Sequence, residues 1–118
     1  MNTTLWIVQG LLSFVFLMAG FMKVSRSKDQ LASQMAWVDD FSQSQIRMIG
    51  FTEILGALGL VLPMITGILP ILTPIAAIGF VLLMLGATTT HLRRGENPMA
   101  MMTIALTLMA AFVAYGRF

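Results

Sequence analysis

The sequence predicts an all-α protein: a transmembrane four-helix bundle with a short interfacial helix between the first and second spans. Of its 118 residues, 58% are hydrophobic and 10% are charged, whereas an ordinary soluble domain is about 25% charged. Four long apolar runs are separated by short polar segments, and small residues recur at helical spacing within them. Lipid is therefore the expected solvent, and the chain is expected to form one membrane domain, 1–118.

Each apolar run is long enough to cross a bilayer, because about 20 residues at a rise of about 1.5 Å each span the hydrocarbon core. The first run lacks a basic leader and a clean cleavage motif, so we expect it to be retained as a span. Pro63 is expected to stop the second span. The predicted spans are residues 5–23, 46–62, 71–92 and 99–115.

The connection between the first two spans turns polar but keeps apolar residues at spacings of four and three. These residues are Leu31, Met35 and Val38, beside Trp37. The pattern predicts a short amphipathic helix in the membrane interface, with a solvated loop as the alternative. Two serine–glutamine pairs have capping-box spacing: Ser27 with Gln30 and Ser42 with Gln45.

Basic residues collect at the connections that follow the first and third spans. They are Lys23, Arg26, Lys28, Arg47, Arg93 and Arg94, against Arg117 alone beside the termini. The positive-inside rule then predicts a multi-pass protein of the inner (plasma) membrane, with these connections in the cytoplasm and both termini outside. Basic residues this dispersed form no nucleic-acid stripe, so we expect no nucleic-acid partner.

One carboxylate, Glu53, lies inside the second apolar run. An ionised acid at the centre of a membrane helix costs about 2.5–3.5 kcal/mol, so it needs a partner, a proton or a water-filled cavity. At about 100° per residue, Glu53 shares one arc of the helix with small residues. That arc contains Gly50, Gly56, Ala57 and Leu60. The acid is therefore expected to face protein and not lipid.

The antiparallel arrangement brings Lys23 and His91 to a depth similar to that of Glu53. Glu53 lies about 9 Å below the Arg47 boundary and His91 about 3 Å below Arg93, by the helical rise. The predicted polar cluster is Lys23, Glu53 and His91, with Thr88 on the same helix face as His91. It is expected to bind a quinone head group, a lipid head or a proton in transit. The structural alternatives are a Glu53 satisfied by Lys23 or backbone groups, and a His91 that lies at the interface beside Arg93.

The residue inventory limits the chemistry of the isolated chain. It has no cysteine, which excludes a disulfide or thiolate centre of its own, and its one histidine has no nearby second ligand, so no metal site is expected. No catalytic triad, phosphate-binding glycine loop or paired catalytic carboxylates occur, and Asp39 and Asp40 resemble a solvated loop pair. We therefore predict no catalytic residue and no covalent cofactor, and any electron chemistry requires a bound molecule such as a quinone, or a partner.

Four stretches resemble the DoxX-like family of small four-span membrane proteins. They are LLSFVFLMAGFMKV, IGFTEILGALGLVLP, LTPIAAIGFVLLMLGATTTHLRRGE and FVAYGR. Lys23 in its Gly-x-x-Lys motif, Glu53, and His91 in its His-Leu-Arg-Arg motif match the family pattern. The family is named after a membrane subunit associated with sulfur-compound oxidation and quinone reduction, so the resemblance implies a link to membrane redox complexes. The missing cysteines argue against a thiol-exchange role.

These observations favour an accessory subunit of a membrane redox system that binds a quinone-like or lipidic amphiphile near Glu53 and His91. The alternative is a membrane scaffold or assembly factor without its own ligand, whose outer face contacts another membrane protein or a second copy in a homodimer. A proton-coupled small-solute transporter is a weaker alternative, because four short spans enclose little volume without oligomerisation.

Overall fold

The computed structural model describes residues 1–32 and 35–118, and its regular secondary structure is all helical, with no strand in those residues. Four helices are long and apolar enough to cross a membrane, with mean hydropathies of 1.8 to 2.0. In chain order the elements are α1 (Asn2–Ser25), α2 (Lys28–Ala32), a 3₁₀ helix (Ala36–Asp40), α3 (Gln43–Thr66), α4 (Leu72–Arg93) and α5 (Asn97–Arg117). The predicted all-α four-helix bundle is confirmed.

The second long helix does not stop at Pro63, which corrects the prediction. Helix α3 continues through Pro63 to Thr66 and ends at Gly67, whose φ of 73° is left-handed. Proline has no N–H to donate to the carbonyl four residues earlier, that of Gly59. The hydroxyl of Thr73 on α4 donates to this carbonyl instead, at 2.9 Å. A neighbouring helix thus satisfies the group that the proline leaves unpaired, as membrane helices require.

The connection from α1 to α3 covers the end of the bundle with a small apolar cluster of its own. Leu31, Val38 and Ile46 are fully buried there. Two short helical elements occupy this connection; the single amphipathic helix predicted from Leu31 to Val38 crosses residues 33 and 34, which lie outside the described residues. Both predicted capping boxes form, with reciprocal hydrogen bonds between Ser27 and Gln30 and between Ser42 and Gln45.

The core lies between two antiparallel helix pairs, because α1 packs mainly against α3 and α4 mainly against α5. Phe16 and Phe80 stack across it with ring centroids 3.9 Å apart. Outward-facing positions carry exposed Phe, Leu, Ile and Met side chains on all four long helices. This reversal of the soluble pattern is expected for a bundle surrounded by lipid.

The end of the bundle opposite the cluster is closed by a polar network around Arg117. Its Nε donates to Oε1 of Gln9 at 2.7 Å, and its Nη1 donates to Oδ1 of Asn2 at 2.8 Å. Gln9 is fully buried and donates through Nε2 to the carbonyl of Leu60 at 2.6 Å. The network therefore joins α1, α3 and α5 near both chain termini.

Candidate functional site

The site begins at a close crossing of α1 and α3. A Cβ added to Gly20 would lie 2.6 Å from the carbonyl oxygen of Gly50, and one added to Gly50 would lie 2.8 Å from that of Gly20. Such distances are too short for real side chains, so these two glycines allow the backbones to touch. Lys23 and Glu53 follow the two glycines by three residues each, which places them on the same touching faces.

Lys23 and Glu53 form a buried ion pair at this crossing. The Lys23 Nζ lies 2.6 Å from Oε1 of Glu53, and the two side chains are 9% and 2% exposed. Each charge therefore has its counter-ion inside the bundle, as the cost of an unpaired intramembrane acid demands. The acid points towards protein.

A cavity of about 540 Å³ adjoins the ion pair between the two helix pairs. Lys23, Glu53 and His91 contribute its ionisable groups, and the rest of its wall is mostly apolar. Three lining residues, Val15, Leu82 and Met102, are themselves 41%, 66% and 57% exposed on the outer surface. The cavity therefore reaches the face of the bundle that lipid surrounds.

Trp37, from the 3₁₀ helix, lies between Lys23 and His91 at the polar part of the cavity. The Lys23 Nζ lies 5.5 Å from the centroid of the Trp37 ring, within cation–π range. The His91 ring lies 6.5 Å away with its plane at 83° to the indole. The sequence drew attention to Trp37 only as part of the interfacial pattern, and nothing in its spacing indicated a place beside the ion pair.

His91 is held by the turn that ends α4. Gly95 adopts a left-handed φ of 72°. Its N–H donates to the carbonyl of Leu92 at 3.2 Å, and the N–H of Glu96 donates to the carbonyl of His91 at 2.8 Å. This pair of bonds is a Schellman motif, and it folds residue 96 back over residue 91. As a result, Oε1 of Glu96 lies 2.8 Å from Nδ1 of His91.

An ion-pair network extends from Glu96 to the surface. Arg94 contacts Oε2 of Glu96 through Nε at 3.4 Å and Oδ1 of Asp40 through Nη1 at 3.0 Å. The hydrogen bond from His91, followed by the hydrogen bond and the charge of Arg94, lowers the pKa of Glu96 below its usual value. The carboxylate of Asp40 raises the pKa of Arg94. Asp40 is exposed, as expected of a solvated residue, but it lies in the 3₁₀ helix and not in a loop, and it pairs with Arg94.

The other predicted residues divide between the wall of the cavity and the surface. Thr88 lies behind the wall, where its hydroxyl is 2.7 Å from that of Thr103, a lining residue. His91 pairs with Glu96 and is buried, so it does not extend to the interface beside Arg93. Among the predicted boundary cations, the exposed ones are Arg26, Arg47 and Arg93, and the half-buried ones are Lys28 and Arg94.

The small-residue arc predicted on α3 lies inside the bundle, and α1 buries a face that also carries polar side chains. The predicted small-residue arc of α3 is buried at Gly50, Ala57 and Leu60 and half-buried at Gly56. On α1 the buried face includes Gln9, Leu12, Phe16, Gly20 and Lys23. It includes two polar side chains, Gln9 and Lys23, which need hydrogen-bond or ionic partners within the protein because lipid offers none.

Comparison with known proteins identifies the family of the chain. Among the described residues, no group of three or more His, Cys, Asp or Glu side chains is close enough to hold a metal ion. Searches among curated proteins and among solved structures gave no match. A model of the DoxX-like family matches residues 7–113. With its four membrane-length helices, the chain belongs to the DoxX-like family and is an integral membrane protein.

Proposed function

We propose that this protein binds an amphiphilic molecule, quinone-like or lipidic, in the cavity beside Lys23, Glu53 and His91. One observation carries the proposal: a cavity of about 540 Å³ joins a lipid-facing surface to a buried group of ionisable side chains. Ligand sites are typically concave, mostly apolar and supplied with a few convergent polar groups, and their volumes start at about 300 Å³.

The polar groups suit a head group that accepts and donates hydrogen bonds. An ammonium group has three N–H donors, of which Lys23 directs one to Glu53 at 2.6 Å. Its remaining donors are available to an oxygen of a bound head group in the cavity that Lys23 lines. His91 lines the same cavity and provides a second polar contact.

The apolar walls suit the tail of such a molecule. Four methionines line the cavity: Met35, Met84, Met99 and Met102. Methionine is unbranched and polarizable, so its side chain adapts to chains of different shape. Because the cavity reaches the outer surface at Leu82 and Met102, a tail can extend from it into the bilayer.

The protein serves, in this proposal, as an accessory subunit of a membrane redox system. The chain has no cysteine, so electrons must travel through the bound molecule or a partner protein. The basic connections lie in the cytoplasm in this arrangement and the termini lie outside, in keeping with the positive-inside rule.

Ligand content tests the proposal directly. We would extract the protein gently, measure bound small molecules by native mass spectrometry, and compare Ala87→Phe with Ala105→Phe. Ala87 lines the cavity, whereas Ala105 is exposed on the outer surface. Loss of the bound molecule in Ala87→Phe alone is expected. Equal ligand content in both variants, or no ligand in wild-type protein reconstituted with quinone and lipid, would contradict the proposal.

The scaffold function is the second candidate, and the ion pair favours it. Lys23 and Glu53 satisfy each other at 2.6 Å, so they hold α1 to α3 without any ligand. If this is their whole role, Glu53→Gln lowers thermal stability in detergent while the bound small molecules stay unchanged. A loss of ligand in Glu53→Gln protein that keeps its thermal stability would exclude it.

A further inference from the structure

The contact between His91 and Glu96 determines which nitrogen of the imidazole carries a proton. An ionised carboxylate can only accept hydrogen bonds, and Glu96 accepts from Nδ1 of His91 at 2.8 Å and from Nε of Arg94 at 3.4 Å. The bonds from both groups lower the pKa of Glu96, which keeps it ionised. Nδ1 is therefore the donor, and in a neutral imidazole Nε2 then keeps its lone pair.

In the neutral form of His91, the lone pair on Nε2 is left for the cavity. His91 is 4% exposed and lines the cavity, while its opposite ring nitrogen is directed to the turn at Glu96. Trp37, from the connection between α1 and α3, lies edge-on to the His91 ring, and the Lys23 Nζ lies 5.5 Å from the centroid of the same indole. The polar part of the cavity thus offers one donor, the ammonium of Lys23, and one acceptor, the imidazole of His91.

The charges around the cavity favour a neutral head group. Lys23 and Glu53 neutralise each other, and the partner of His91 is a further carboxylate. An anion would therefore lose its hydration without meeting an unpaired cation, whereas a neutral hydroxyl loses far less on leaving water.

We propose that Nε2 of His91 accepts a hydrogen bond from a hydroxyl on the head of the bound molecule, so that the cavity selects neutral amphiphiles with a phenol or alcohol head. Glu96 is a positioning residue that holds His91 in the required tautomer. This inference rests on the proposed binding function. An anionic phospholipid head, which has no hydroxyl donor at its phosphate, is the competing occupant.

A matched pair of probes separates this inference from the binding function. We would titrate 4-nonylphenol and its methyl ether into protein in neutral lipid nanodiscs, correct for partition, and follow Trp37 fluorescence in a Trp6→Phe background. Trp6 lies at the other end of the bundle, beside Arg117 at 5.4 Å. The phenol should bind about five- to tenfold more tightly, the contribution of one hydrogen bond in a buried site.

The outcomes are distinct. Equal affinity for the phenol and the ether overturns the hydroxyl inference and leaves amphiphile binding intact. Failure of both probes to bind overturns the binding function as well. An anionic phospholipid can be added to the neutral nanodiscs as a third ligand. If it binds more tightly than the phenol, the competing occupant is supported and the inference is overturned.

The role of Glu96 has its own readout, because His91 is the only histidine in the chain. Nitrogen NMR of protein labelled with ¹⁵N-histidine should show the tautomer protonated at Nδ1. In Glu96→Gln that tautomer should lose population and the preference for phenol should shrink several-fold. Asp40→Asn, which changes only the other partner of Arg94, should alter neither. A wild-type spectrum dominated by the Nε2-protonated tautomer, or unchanged populations in Glu96→Gln, would overturn the assignment.

Discussion

The hydroxyl of Thr73 on α4 replaces the hydrogen bond that Pro63 cannot give to the carbonyl of Gly59 on α3, at 2.9 Å. Thr73 is fully buried, so its hydroxyl donates to the Gly59 carbonyl inside the protein and not at a surface. The bond therefore connects two adjacent helices and permits a proline inside one of them.

Thr73→Val should lower the free energy of unfolding by about 0.6–1.7 kcal/mol, the range for hydrogen bonds between membrane helices. The measurement is reversible unfolding in mixed micelles. Thr89→Val is the matched control, because Thr89 lies on the same helix as Thr73, is exposed, and donates its hydroxyl within that helix to the carbonyl of Leu85. In a Pro63→Ala background, where an N–H is restored to Gly59, the Thr73 substitution should cost less. An equal cost in both backgrounds would refute the replacement.

Gly50→Ala should separate α1 from α3 and weaken the ion pair beside it. The new methyl would meet the Gly20 carbonyl at 2.8 Å and the Cβ of Lys23 at 2.9 Å. We expect a loss of thermal stability, although alanine is the better helix former by about 1 kcal/mol. Gly10→Ala is the control, since a Cβ there meets nothing within 4 Å. If both substitutions leave the melting temperature unchanged, α1 and α3 do not cross as closely as described.

Lys23→Met should leave the buried charge of Glu53 without a counter-ion and destabilise the fold. Breaking a buried pair on one side typically costs about 3–5 kcal/mol, whereas replacing both partners by apolar residues is often neutral. The double variant Lys23→Met with Glu53→Leu should therefore recover most of the stability lost in the single variant. Thermal unfolding in the same detergent measures both. A double variant no more stable than Lys23→Met would show that the two charges do not compensate each other.

Lowering the pH should remove the contribution of Glu96 to the stability of the fold. Its pKa in the folded protein lies below its ordinary value of 4.5, so the bonded carboxylate stabilises the fold above that pH and loses this effect as the pH falls through the lowered value. The stability difference between wild type and Glu96→Gln should shrink as the pH falls below 4.5. Unfolding curves across this range would measure it, and a difference that grows in acid would contradict the assigned direction.

The main features of the bundle could be predicted from the sequence because lipid imposes simple constraints. Four apolar runs are long enough to be spans, and an acid such as Glu53 needs a partner, a proton or a cavity, so it was expected to face protein at a depth similar to that of Lys23 and His91. The helix through Pro63 could not be predicted, because the hydroxyl that satisfies Gly59 comes from another helix. The partner of His91 was equally hidden, although Gly95 directly before Glu96 is a helix-ending signal that indicates the reversal.

The orientation of the bundle is testable because the chain has no cysteine. Thr3→Cys introduces a single thiol at an exposed position at the start of α1, and Asp29→Cys introduces one at an exposed position in α2, beyond the other end of α1. If the basic connections lie in the cytoplasm, as proposed, a membrane-impermeant maleimide should label Cys at position 3 in intact cells or spheroplasts, and Cys at position 29 only after permeabilisation. The reverse pattern would place the network of His91, Glu96 and Arg94 on the outer side. Such an inversion would leave the geometry of the cavity unchanged but would move the water reached by Glu96 to the other side of the membrane.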